Sequence, residues 1–207
     1  MRILAFDIST SAGWALLEGE PGKIPKIIET GVVANDQPVS AFGEYPWSTM
    51  LAAGRIAARL FRKTIDVRPD CIVIEEINKP GRFGNRYAQK VLDFIHAYLL
   101  LNLHSDAQTG PIPVIYINTS DWRRVVGANL TKADKALNIK VRKLKKAGNK
   151  EALKALGVRG KISKKHVAIR FVNQTFGLSL KAKDDDIADA ICQGTAYFLG
   201  VPHCDGK

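Results

Sequence analysis

Near its C-terminus the chain reads KAKDDDIADAICQG, which sets Asp184, Asp185, Asp186 and Asp189 at the start of an apolar helical pattern. Like charges three or four apart on a helix repel by ~0.2–0.5 kcal/mol per pair, so the cluster calls for a cation. Two further acids close apolar, strand-like runs: Asp7 in RILAFDIST, and Glu75, followed by Glu76, in DCIVIEEI. Asp186 and Asp189, three residues apart, share one helical face. If both strands lie in one sheet and the helix packs on it, Asp7, Glu75, Asp186 and Asp189 come together. Clustered carboxylates bind hard cations, and two such ions about 3.5–4 Å apart can activate a water and stabilise the leaving oxygen of a phosphodiester. That chemistry requires no Ser, His or Cys nucleophile. Singly, each acid also has a plainer role. Asp7 can cap a turn with Ser9, Thr10 and Ser11. Glu75 and Glu76 can be solvated at a strand edge. Asp184, Asp185 and Asp186 suit the positive end of a helix dipole, a role that fits Asp189 less well.

The elements that would position these acids follow from the apolar pattern. RILAFDIST reads as a buried strand, AGWALLEGE follows with Gly13 as a turn signal, and KIIETGVVA completes an antiparallel meander. PWSTMLAAGRIAARLFRKTID predicts a helix with Met50, Ala53, Ala57, Leu60, Phe61 and Ile65 on one face. PDCIVIEEI reads as a central strand, a second helix spans 85–102, and PVIYIN is a short strand ahead of TSDWRRVVG. Two basic helical stretches and two amphipathic helices, SKKHVAIRFVNQTFG and DDIADAICQGTAYFLG, complete the chain. The order predicts one α/β domain over 1–207 with a five-stranded mixed sheet.

Charge is distributed unevenly. Against a formal net charge of +11, 15 Lys or Arg fall between Arg123 and Lys165, where the acids are Asp134 and Glu151 alone. No large apolar face accompanies these bases, so the expected partner is nucleic acid before a membrane surface. No apolar run approaches the ~20 residues that span a bilayer, and the N-terminal run is too short for a signal-peptide core. Cys71, Cys192 and Cys204 read as reduced core thiols, and His96, His104, His166 and His203 lack zinc-ligand spacing. The expected compartment is the cytoplasm, of the host cell if the chain is viral.

ILAFDISTSAGWALL, DCIVIEEI and DDDIADAICQG resemble, in that order, the three acidic motifs of the RuvC family of Holliday-junction resolvases, which have an RNase H-like fold. The resemblance runs from residue 1 to about residue 200. It implies that Asp7, Glu75, Asp186 and Asp189 are catalytic and hold two Mg²⁺, with Mn²⁺ as a substitute. Glu75 and Asp186 would prepare the attacking water with one ion, and Asp7 would bridge both. It also implies a homodimer that nicks a four-way DNA junction symmetrically, without an obligatory small-molecule substrate. Lys164 and Lys165 match the family's basic residues on the helix before the last. Arg82, Arg86, Arg123, Arg124, Arg142, Lys143, Lys145 and Lys146 are the further expected DNA contacts.

Two departures qualify the resemblance. The family has a short loop where this chain carries a basic helical insertion over about 129–160, an enlargement similar to that of divergent viral resolvases. The family's aromatic junction wedge, three residues after the strand glutamate, would fall at Asn78, so Phe83 is the nearest candidate. Apolar residues outside the main stripe of the helix 85–102, namely Phe94, Tyr98, Leu100 and Leu101, are expected at the dimer interface. Other RNase H-like nucleases, acting on flaps or RNA:DNA hybrids, would use the same acids. FDISTSAGWALL also resembles the first phosphate loop of actin-like ATP-binding proteins, but Ser9 stands where a Gly is expected and no second phosphate loop follows. A non-catalytic DNA-binding module would be expected to lack one of the four acids.

Overall fold

The computed structural model describes residues 1–76, 86–105, 112–157 and 160–205. The first three strands, β1 (Arg2–Asp7), β2 (Ser11–Glu18) and β3 (Lys26–Ala34), form the expected antiparallel meander. Helix α1 (Trp47–Val67) leads into β4 (Cys71–Glu75), which lies parallel to β1. Helix α2 (Arg86–Ser105) then leads into β5 (Val114–Ile117), parallel to β4. The order β3-β2-β1-β4-β5 is the five-stranded mixed sheet predicted above. A short sixth strand, β6 (His203–Asp205), extends it antiparallel to β5, and three residues gave no periodic signal for it. Among the described residues no helix is long and apolar enough to cross a membrane.

The remaining helices are α3 (Thr119–Val125), α4 (Lys132–Lys146), α5 (Lys150–Ala155), α6 (Lys164–Phe176) and α7 (Asp185–Phe198). Alternation along the strands divides the core in two. Leu4, Phe6, Ile72 and Ile74 pack with Ala53, Ile56, Leu60, Ile95 and Leu99 of α1 and α2. Ile3, Ala5, Cys71 and Val73 pack with Trp122, Val167, Ala188 and Ile191 of α3, α6 and α7. The same alternation turns Asp7 and Glu75, two residues beyond Ala5 and Val73, toward α7.

Three expectations need correction. Gly13 marks no turn: it lies within β2 opposite Asp7 of β1. The buried face of α1 runs through Ala52, Ala53, Ile56, Ala57, Leu60 and Thr64, so Met50 and Ile65 are not at its centre. Phe94 and Tyr98 are half-buried against the core under α1 and α2, and Leu101, 62% exposed, is the member of the expected interface set that stands clear of the core. Cys71 and Cys192 are free and buried, as read from their apolar surroundings.

Candidate active site

Register brings the strand acids together. Phe6 pairs with Ile74 across the parallel β1/β4 ladder, so the next step sets Asp7 beside Glu75 at the C-terminal ends of both strands. Helix α7 presents Asp186, Asp189 and Gln193, at i, i+3 and i+7, to the same region. Two glycines allow its close approach. A Cβ on Gly13 would lie 2.1 Å from the Asp186 carbonyl oxygen, and one on Gly194 would lie 2.4 Å from Leu17 Cδ1. Gln193 Nε2 lies 3.4 Å from Asp7 Oδ1, a long hydrogen bond from helix to strand acid.

The start of α3 holds Glu75 and Glu76. Asn118 caps the helix by accepting from the Ser120 amide at 2.9 Å, and its Nδ2 donates to Glu76 Oε2 at 3.1 Å. Thr119 Oγ1 donates to Glu75 Oε1 at 2.5 Å, and Trp122 Nε1 donates to Glu75 Oε2 at 2.8 Å. Trp122 is fully buried, so its indole nitrogen is a fixed donor. Arg123, expected on the DNA surface, is instead 5% exposed. Its Nη2 donates to Asp189 Oδ2 at 3.0 Å, and its guanidinium lies over the Trp122 ring. Paired with Asp189 and stacked on Trp122, its guanidinium is withdrawn from the surface on which a phosphate contact was expected.

Lys165 Nζ lies 2.5 Å from Asp185 and 3.5 Å from Asp186, a cation at the rim of the cluster. Lys164 is exposed beside it, and Arg142, Lys143, Lys145 and Lys146 are exposed on α4. Arg124 is exposed and paired with Asp121 at 2.8 Å. Arg82, Phe83 and Asn78 lie outside the described residues, and so does the side chain of Arg86.

Electrostatics report the crowding. Burial first, then the charges of Asp189, Glu75 and Asp186, raise the Asp7 pKa well above the usual carboxylate range. Burial likewise raises Asp189 to about 6, against the opposing pull of Arg123. Asp189 Oδ1 is buried without a hydrogen-bond partner. An orphaned carboxylate oxygen among four acids fits a cation, and an all-oxygen donor set fits Mg²⁺ or Mn²⁺. Among the described residues, however, no three such groups lie close enough to hold one ion as they stand. Thr119, Trp122, Arg123 and Lys165 are the groups that now occupy Glu75, Asp186 and Asp189.

A cleft of about 80 Å³ opens beside Asp7 and Glu75, lined also by Gln89 and His96. His96, one of the histidines without zinc-ligand spacing, is a structural residue of this cleft. It is 6% exposed and lies against Tyr116, its Nδ1 has no hydrogen-bond partner, and burial lowers its pKa to about 4. Sequence reasoning missed Thr119, Trp122 and Gln193. A hydrogen bond between elements leaves no periodic trace, and the capping signal of Asn118 was the one local pointer to the α3 clamp.

Sheet order and flanking helices are those of solved Holliday-junction resolvases, whose fold this chain shares. Thermus thermophilus RuvC in complex with a Holliday junction substrate superposes with a TM-score of 0.60 at 13% identity, covering 96% of this chain and 94% of that one. A second T. thermophilus RuvC structure gives 0.58 at 15% identity with the same coverage. The yeast mitochondrial Holliday junction resolvase Ydc2 gives 0.54 at 13% identity, over 96% of this chain and 78% of Ydc2. No protein-family model matches the chain, and no curated protein sequence matches it.

Proposed function

We propose that this chain is a divalent-metal-dependent DNA endonuclease that resolves four-way junctions. The observation that carries the reading is the meeting of Asp7, Glu75, Asp186 and Asp189 at one end of a sheet whose fold is shared with RuvC and Ydc2. These four residues would hold Mg²⁺, or Mn²⁺ in its place. When bound, such ions supply Lewis acidity and charge neutralisation for hydrolysis of a phosphodiester.

The chain's own residues prepare that site. Thr119 and Trp122 fix both oxygens of Glu75, leaving the carboxylate one orientation. Gln193 turns Asp7 toward α7, and Arg123 holds one oxygen of Asp189 while leaving the other free. Lys165 can exchange Asp185 for an incoming phosphate, because its ammonium is already at the rim. The exposed bases of α4 and Lys164 are placed to hold the DNA backbone. Paired symmetric nicks require two equivalent sites, which a two-fold homodimer supplies. Exposed apolar side chains available for it are Tyr45 and Trp47 near the start of α1 and, at the far end of α2, Leu101.

The test compares cleavage of four-way junction, flap, RNA:DNA hybrid and duplex with Mg²⁺ or Mn²⁺, and binding in Ca²⁺. Junction is expected to be cut first. Asp7→Asn, Glu75→Gln, Asp186→Asn and Asp189→Asn are each expected to abolish cutting and retain junction binding, since the phosphate contacts come from bases. Cutting near the wild-type rate by any two of these variants would overturn the tetrad, and preferential cutting of hybrid would overturn the substrate.

A further inference from the structure

The insertion makes a groove of its own. Helix α4 is locked to α6 by a two-pronged pair, Arg170 Nη1 and Nη2 to Asp134 Oδ1 and Oδ2 at 3.1 and 2.7 Å. Asn138 bonds the Ile162 backbone twice, donating to its carbonyl at 2.9 Å and accepting from its amide at 2.7 Å. Between α4 and the segment around Lys161 lies a groove of about 540 Å³. Its apolar floor is Leu130, Ile139 and Val141, and Lys135, Arg142, Lys145 and Lys161 rim it, with no acid in the lining. None of these four cations pairs with an acid among the described residues. Ile139 stays 48% exposed at the centre of this positive surface, although α4 has a buried face available at Val141.

An apolar floor inside a ring of cations suits a ligand that is flat and apolar in one part and anionic in another. A duplex backbone satisfies the rim and leaves the floor uncovered, because its bases are stacked inside the helix. An unpaired nucleotide satisfies both, and the volume is within the range of about 300–1,000 Å³ for small-molecule sites. The groove is also close to the acids. Lys161 and Lys165 are four residues apart, at most about 14 Å of chain, and Lys165 touches Asp185 and Asp186. Measured along a duplex axis, at ~3.4 Å of rise per nucleotide of one strand, that span is at most roughly four nucleotides.

We propose that this groove holds an unpaired nucleotide of the substrate strand, its base on Leu130, Ile139 and Val141 and its phosphate among Lys135, Arg142, Lys145 and Lys161. The proposal rests on the reading of the chain as a DNA nuclease, and it deepens that reading by naming a substrate feature. Single-stranded character a few nucleotides from the cut is what the insertion recognises. With the Asn138 amide committed to Ile162 and the rim cations on the phosphate, the base meets apolar side chains, and recognition is tolerant of base identity.

The experiment is fluorescence anisotropy of the full chain in Ca²⁺ with a short labelled oligothymidylate, an oligodeoxyadenylate and a duplex of equal length. Oligothymidylate and oligodeoxyadenylate are expected to bind alike. Ile139→Ser, at a half-exposed position where folding is preserved, is expected to weaken oligothymidylate roughly tenfold more than duplex. Equal weakening of both probes, or none, would overturn the groove. In a second measurement, an oligonucleotide carrying a photoreactive thymine analogue is expected to crosslink within 130–145, and crosslinking confined to other peptides would overturn it as well. Wild-type nicking of a four-way junction reports separately on the nuclease reading. Failure there with an intact groove, or the reverse, identifies which of the two has failed.

Discussion

Asp189 on α7 and His96 on α2 are both buried and have opposite proton preferences. Burial raises Asp189 from the ordinary carboxylate value to about 6, so the folded state holds a proton that the unfolded chain has already released. Its effect on stability is therefore a loss as pH rises from about 4 through 6. Burial lowers His96 to about 4, so the unfolded chain binds a proton that the folded state refuses, and stability is lost as pH falls from about 6.5 toward 4. Each shift corresponds to about 3 kcal/mol, so in the absence of divalent ions the two slopes oppose each other within one window. Asp7, also raised by burial, adds a loss of stability with rising pH to every variant, so relative to the wild type Asp189→Asn should make the dependence of stability on pH between 4.5 and 6.5 more positive and His96→Gln more negative, in urea unfolding with chelator present. Parallel profiles for both variants would refute the assignment. A divalent cation competes with the Asp189 proton, so Ca²⁺ should stabilise the wild type more at neutral pH than in acid.

At the scale of elements, the site depends on how closely α7 can sit on the sheet. Gly13 faces the backbone of α7 at Asp186, and Gly194 faces a leucine methyl of β2. A backbone carbonyl cannot move without tilting the helix that carries Asp186 and Asp189, whereas Leu17 can change rotamer. Overpacking costs typically about 1–3 kcal/mol, and Gly13→Ala should lie at the upper end with cleavage lost, Gly194→Ala at the lower end with cleavage retained. Equal unfolding midpoints for the two variants would contradict this. The acids themselves were legible in the sequence, because strand alternation and the spacing of Asp186 and Asp189 each fix a face. The role of Gly13 was not, since a glycine that permits close approach and one that makes a turn look alike without the partner element. The Glu75 clamp was illegible for a related reason: Thr119 and Trp122 lie more than forty residues away along the chain.

At the scale of the whole molecule, the two charge systems are segregated and coupled. The acids converge at the ends of β1 and β4, while the bases ride on α4 and the first turn of α6, with Lys165 at the boundary. Asp134, the acid within α4, is spent on Arg170, whose hydrogen bonds hold its pKa below the usual carboxylate range. The remaining cations of α4 thus face solvent free to meet phosphate. Each phosphate they neutralise releases condensed counterion, so log affinity for junction DNA should fall against log salt with a slope of about −0.9 per contact. Replacing Arg142, Lys143, Lys145 and Lys146 with Gln should flatten that slope by up to roughly four contacts' worth, while the acid tetrad and its metal response stay intact. The measurement is junction binding in Ca²⁺ across a salt series. An unchanged slope would mean that these four bases are merely solvated, and that other bases carry the DNA.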